Sequence, residues 1–165
     1  MRAWREKLGP EDLRKLEGLG DGRVDAFVGD AVELCGPDSV FVCTDSVDDL
    51  ARVRALAVEA GEEHALAIEG HTYHFDGPSD QGRDKGSTKY LVPEGLDLGR
   101  SLSAVEREAG LSEVKGFLRG AMRGKTMIVR FLCLAPPGSE LAIPCLQVTD
   151  SWYVAHSESL LYRER

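Results

Sequence analysis

Apolar residues recur at helical spacing in Val24, Phe27, Val28, Ala31, Val32 and Cys35, and Gly36–Pro37 closes the run. This pattern predicts an amphipathic helix ending at a glycine stop. Before it, Gly9–Pro10 followed by Glu11 and Asp12 predicts a short polar helix running to about Gly18. Residues 39–43 are β-branched and apolar enough for a central strand. Ser46 with Asp49 three residues on forms a capping-box variant. It opens a helix that should turn Leu50, Val53, Ala57 and Val58 inward and stop at Gly61.

Two short strands at 65–68 and 71–75, joined by Glu69–Gly70, predict a hairpin. Residues 76–87 read as a loop: almost wholly polar, with three glycines and a proline. A loop of that length is disproportionately functional. A strand at 88–92 ends at Pro93; Ser103 with Glu106 predicts one short helix, and 112–122 another. Residues 125–134 and 141–149 are the longest strand candidates, joined by Pro136–Pro137–Gly138–Ser139 and so expected to be antiparallel. Pro144 places the second at an edge or on a bulge. Asp150 or Ser151 caps a last helix carrying Tyr153, Val154, Leu160 and Leu161, and 160–165 still read as helix. Alternating strands and helices predict an α/β fold, a mixed sheet with flanking helices, over residues 1–165 as one domain.

Composition narrows the function classes. With 165 residues, 42% hydrophobic and 29% charged, the chain can bury a core. Its net charge of −8, with acids interleaved among the bases, argues against a nucleic-acid surface. No apolar run approaches a bilayer span and no signal peptide is evident, so a cytoplasmic protein without a membrane partner is expected. Cys35, Cys43, Cys133 and Cys145 form no C-x-x-C pair and are expected as reduced core residues.

The glycine spacing of residues 77–82 is that of a phosphate-binding loop, but Arg83 and Asp84 stand where lysine and a hydroxyl residue are required. An acid there repels phosphate, which excludes a P-loop. Arg83 remains on a glycine-flanked loop, a side chain able to hold a carboxylate or phosphate through two parallel hydrogen bonds; a solvated loop arginine is the alternative. His71 and His74 lie three apart in a strand and point to opposite faces, wrong for one ion. His64 and His156 have no ligand partner that spacing identifies. Asp76, Asp80 and Asp84 match no calcium-loop spacing, and capping is their expected use.

Three segments together resemble the N-terminal domain of GTP-dependent phosphoenolpyruvate carboxykinases. Residues 24–43, with the Leu34-Cys-Gly-Pro-Asp38 turn, look like that family's helix, turn and following strand. Residues 82–92, Gly-Arg-Asp-Lys-Gly-Ser-Thr-Lys-Tyr-Leu-Val, are similar to its Ala-Arg-x-x-x-x-Thr-x-x-x-Val region. Met122-Arg-Gly-Lys-Thr-Met-Ile-Val129, the Pro-Pro-Gly turn and Leu146-Gln-Val-Thr-Asp-Ser-Trp-Tyr-Val-Ala155 resemble its Gly-Arg/Lys-Thr-Met-x-Val, Gly-Pro-rich turn and x-x-Leu-Thr-Asp-Ser-x-Tyr-Val segments, with Gln147–Val148–Thr149 standing at the Leu-Thr position.

The resemblance implies an enzyme of gluconeogenesis, a carboxy-lyase that converts oxaloacetate and GTP to phosphoenolpyruvate, GDP and carbon dioxide with manganese or magnesium. It implies that Arg83 contacts the substrate carboxylate. The family's metal-binding lysine, histidine and aspartate, its reactive cysteine, its Gly-Lys-Thr nucleotide loop and its lid lie beyond the matching segment. The chain is therefore expected to be a substrate-binding lobe without catalytic, metal or nucleotide residues, partnered by a C-terminal domain of the same polypeptide and inactive alone. A stand-alone dicarboxylate-binding or regulatory module built on the same domain is the alternative.

Overall fold

A computed structural model of the chain describes residues 3–77, 88–136, 138–161 and 163–164. These gather into two compact units, one built from 1–74 and 120–165 and the other from 75–119. In the first unit a 3-10 turn, Ala3–Lys7, leads into α1 (Pro10–Gly18) and α2 (Gly22–Cys35). Proline at the first position starts α1, Asp21 caps α2 by accepting from Arg23 N–H, and Gly36 ends α2 in the left-handed conformation at φ 64°. That φ is one glycine adopts without steric cost. Strand β1 (Ser39–Cys43) and helix α3 (Val47–Glu59) follow, and β2 (His64–Ala65) pairs antiparallel with β3 (Thr72–Tyr73). The second unit holds β4 (Tyr90–Val92), β5 (Ala104–Glu106) and α4 (Arg107–Leu118). The chain then returns to the first unit with β6 (Thr126–Leu134), β7 (Ile143–Thr149), α5 (Trp152–Leu161) and β8 (Arg163–Glu164).

The principal sheet is mixed. Strand β6 is its centre, parallel to β1 with Ser39 opposite Thr126, and antiparallel to β7 with Ile128 opposite Thr149. Strand β8 pairs antiparallel with β6 at Leu132 and Cys133. Alternation along the strands fills two cores. Val40, Val42, Met127 and Val129 pack with Trp4, Leu16, Val28 and Val32 against α1 and α2. Phe41, Cys43 and Ile128 pack on the other face with Val53 of α3 and Ala155 of α5. Helices cover both faces, which is why β1 and β6 read as near-continuous apolar runs.

Several expectations hold: α1, α2, β1, the Ser46 cap, the antiparallel β6–β7 pair and Pro144 on an edge strand. Others are corrected. Strand β1 lies at the margin of the sheet. Among the described residues its far side meets a bridge from Leu8 and the side chains of α1: Asp12 Oδ1 accepts from Val42 N–H at 2.8 Å and Lys15 Nζ donates to Val42 O at 3.3 Å. Both faces being buried made an edge strand look central. Val58 is exposed rather than inward, at the end of the α3 stripe.

The helix expected at Ser103 is β5, parallel to β4 with Tyr90 opposite Ala104. Glu106 is itself the cap of α4, its carboxylate accepting from Glu108 N–H and Ala109 N–H. One helix therefore replaces the two expected. The last helix also does not run on, because 163–164 form β8. Cys35, Cys43 and Cys133 are buried free thiols, but Cys145 is exposed on the edge strand β7.

Candidate functional site

The contact implied for Arg83, and the acids Asp80 and Asp84, lie outside the described residues. The residues brought together elsewhere were not legible as a site. Helix α3, the turn after it, the β2–β3 hairpin and α5 converge on a small cluster. Ala57 O accepts from both Glu62 N–H and Glu63 N–H at 3.0 Å, wrapping the chain back over the helix end. This turn aims the two glutamates at α5. Glu62 Oε2 accepts from Ser151 Oγ at 2.5 Å and from Tyr153 N–H at 2.9 Å, while Ser151 Oγ accepts from Val154 N–H at 3.1 Å. Two oxygens thus satisfy donors at the α5 N-terminus, where negative charge is favoured by the helix dipole.

Glu63 is 3% exposed, and its Oε1 lies 2.7 Å from His156 Nδ1. The other ring nitrogen, Nε2, accepts from Arg54 Nε at 3.1 Å. A guanidinium can only donate, so Nε2 carries the lone pair and Nδ1 carries the proton that it donates to Glu63. Carboxylate, imidazole and guanidinium form a fixed chain from the interior to the surface. His74 donates from Nδ1 to Glu62 O at 2.6 Å, and its ring stacks on Tyr153 with centroids 3.6 Å apart. His71 is exposed and lies by Glu69 O; it and His74 flank β3 (Thr72–Tyr73) rather than sitting within a strand as expected.

A second polar network holds α1 to the start of α3. Asp49 accepts from Lys15 Nζ at 2.8 and 3.0 Å, from Thr44 N–H at 2.9 Å and from Thr44 Oγ1 at 2.6 Å. Burial pushes the Asp49 carboxyl up, but the hydrogen bonds from Lys15 and Thr44 outweigh it and hold it below the usual range. Asp12, which accepts from Val42 N–H, is raised, chiefly by burial. On the opposite strand Arg130 is 1% exposed between Cys43 and Gln147, its pKa lowered by desolvation while Cys43 and Glu158 act in the other sense. Burial pushes the Cys43 thiol to about 11, so it is a core residue and no nucleophile.

Among the described residues no three His, Cys, Asp or Glu side chains converge so as to hold a metal ion, and no helix is long and apolar enough to cross a membrane. The donor set described here therefore does not fit a manganese or magnesium centre.

A mixed β-sheet covered by helices on both faces, with the Thr149-Asp-Ser-Trp-Tyr segment turning into a helix capped by Glu62, makes this an α/β domain. Residues 26–165 match the family model described as the phosphoenolpyruvate carboxykinase N-terminal domain, and the chain belongs to that family. The chain is 43% identical over 160 residues to the phosphoenolpyruvate carboxykinase [GTP] of Thermococcus sibiricus, covering 97% of this chain and 26% of that protein. The protein of the same description from Pyrococcus horikoshii is 43% identical over 99% of this chain and 26% of its own length. That of Saccharolobus solfataricus is 40% identical over 92% and 24%. The chain thus spans about a quarter of the length of the curated relatives it matches.

Proposed function

We propose that the whole protein is a GTP-dependent phosphoenolpyruvate carboxykinase and that residues 1–165 form one substrate-binding lobe of it. The observation that carries this reading is the match over 97% of the chain, at 43% identity, to a relative described by that activity. In the proposed reaction oxaloacetate loses carbon dioxide, the resulting enolate takes the γ-phosphoryl group of GTP, and phosphoenolpyruvate and GDP leave. The part assigned to this chain is positioning. The Arg83 guanidinium holds a substrate carboxylate by two parallel N–H···O bonds, fixing the reacting carbon relative to the phosphoryl donor. Manganese or magnesium and the nucleotide are assigned in this reading to the rest of the polypeptide. The same reading places the protein in the cytoplasm, in gluconeogenesis.

The test is Arg83→Ala in the full-length enzyme. A charged bidentate contact in a desolvated site is worth about 2–4 kcal/mol, so kcat/KM for oxaloacetate should fall about 30-fold or more while GTP affinity holds. An unchanged kcat/KM refutes the assignment of Arg83. Residues 1–165 alone should show no GTP-dependent turnover of oxaloacetate, and measurable turnover would overturn the lobe reading.

A further inference from the structure

The Glu63–His156 pair leaves one group over. Glu63 Oε1 is taken by His156, but Glu63 Oε2 is buried and has no hydrogen-bond partner. A carboxylate oxygen removed from water without a donor costs free energy, which a ligand supplying a donor would recover. The residue lines a cleft of about 200 Å³ with Thr72, Tyr73, His74, Tyr153 and His156. The Arg54 guanidinium is turned to His156 Nε2, and Glu62 is committed to the α5 N-terminus. The cleft therefore presents acceptors, hydroxyls and aromatic rings together with the Glu63 carboxylate, and among the described residues no lysine or arginine lines it.

We propose that this cleft is a binding site for a primary ammonium group, held by Glu63 Oε2 against the His74–Tyr153 stack. An ammonium brings three donors and a compact positive charge, which suits one charged acceptor, neighbouring hydroxyls and a tyrosine π-system. A divalent metal does not suit it: both His156 nitrogens are occupied, and one carboxylate oxygen with hydroxyls falls short of a hard-cation shell. The inference stands on this cleft alone and is independent of the activity proposed above. Two sources share the chemistry, a free small amine and a lysine side chain presented by another segment or chain.

The experiment is a thermal-shift titration of the full chain at matched ionic strength, with methylammonium, Nα-acetyl-lysine methylamide and tetramethylammonium as probes. Methylammonium should raise Tm in a saturable way, and tetramethylammonium, which has no N–H donor, should act no differently from sodium. A response to methylammonium alone assigns the site to free amines. A response also to the lysine mimic assigns it to side chains as well. Glu63→Gln, which keeps an acceptor for His156, should weaken methylammonium about tenfold, the loss of one charged hydrogen bond. Equal effects of methylammonium and tetramethylammonium on the wild-type chain overturn the proposal whether or not the variant folds. So does an absence of any saturable shift, or an undiminished response in Glu63→Gln; in those cases Glu63 Oε2 meets only water.

Discussion

Removing Asp49 tests the physical account of how α1, β1 and α3 are joined. Its side chain is 7% exposed and accepts four contacts, two from Lys15 and two from Thr44. Asp49→Ala strands the Thr44 N–H and takes from Lys15 its closest partner, although Lys15 retains Glu11 at 3.0 Å and Val42 O. Breaking a buried pair on one side costs about 3–5 kcal/mol, and the partners left to Lys15 bring the expectation here to about 3 kcal/mol. The assay is urea unfolding followed by tryptophan fluorescence, since Trp4 is buried in the same unit and Trp152 packs on Phe41. The gentler Asp49→Asn variant adds a sign. The folded carboxyl titrates below its ordinary 3.8, so its stabilisation is present above that value and is lost as pH falls through the folded pKa. The gap between wild type and Asp49→Asn should therefore be full at about pH 6 and shrink below about pH 4. Asp12, raised by burial, gives the opposite slope, and the series is repeated in an Asp12→Asn background to separate the two. A gap identical at about pH 6 and pH 3, or a Lys15–Asp49 coupling below about 0.5 kcal/mol in a double-mutant cycle, refutes the reasoning.

Two further predictions concern packing and thiol access. A Cβ on Gly29 would stand 2.6 Å from Trp4 Nε1 inside a rigid buried ring contact, so Gly29→Ala should cost about 1–3 kcal/mol by chemical denaturation despite its better helix propensity. Gly110→Ala meets Leu91 Cδ2 at 2.4 Å, but Leu91 is half exposed and can swing away, so the helix gain should leave that variant within about 1 kcal/mol of wild type. Equal costs at the two sites would contradict the contrast. Native alkylation at mildly alkaline pH should place one label, on Cys145, by mass spectrometry, because Cys35, Cys43 and Cys133 are buried and Cys43 is held near 11. Early labelling of Cys43 would count against the core described here.

The parts of the fold legible in the sequence are those with local punctuation. Gly36–Pro37, Ser46 and the Pro136–Gly138 turn each mark a boundary by what the backbone or a capping hydroxyl can do there. Strand β5 escaped because Ser103 and Glu106 have capping-box spacing, whereas the glutamate caps the next helix with its own carboxylate. The marginal place of β1 escaped because its side chains are buried on both faces; what distinguishes it is the pair of polar side chains along its backbone edge. The Glu63–His156–Arg54 chain had no signal at all, as Glu63 and His156 are 93 residues apart and meet only when α5 packs on α3. Arg83 is the reverse case: nothing in its local pattern sets it above other loop arginines, and the role proposed for it rests on family likeness.

The outer edge of β1 has a consequence for how the chain behaves before it is fully folded. An uncovered strand edge is a template for another molecule's strand. Here the cover consists of Leu8, Asp12 and Lys15, so it exists only once α1 has docked. On the opposite margin Pro144 removes one donor from β7 permanently, a protection written into covalent structure rather than acquired by folding. The two margins therefore differ in timing. Any interval in which β1 and β6 have paired before α1 arrives is when two copies of this chain are most able to adhere, and one of the residues that end it, Lys15, also holds Asp49 in place.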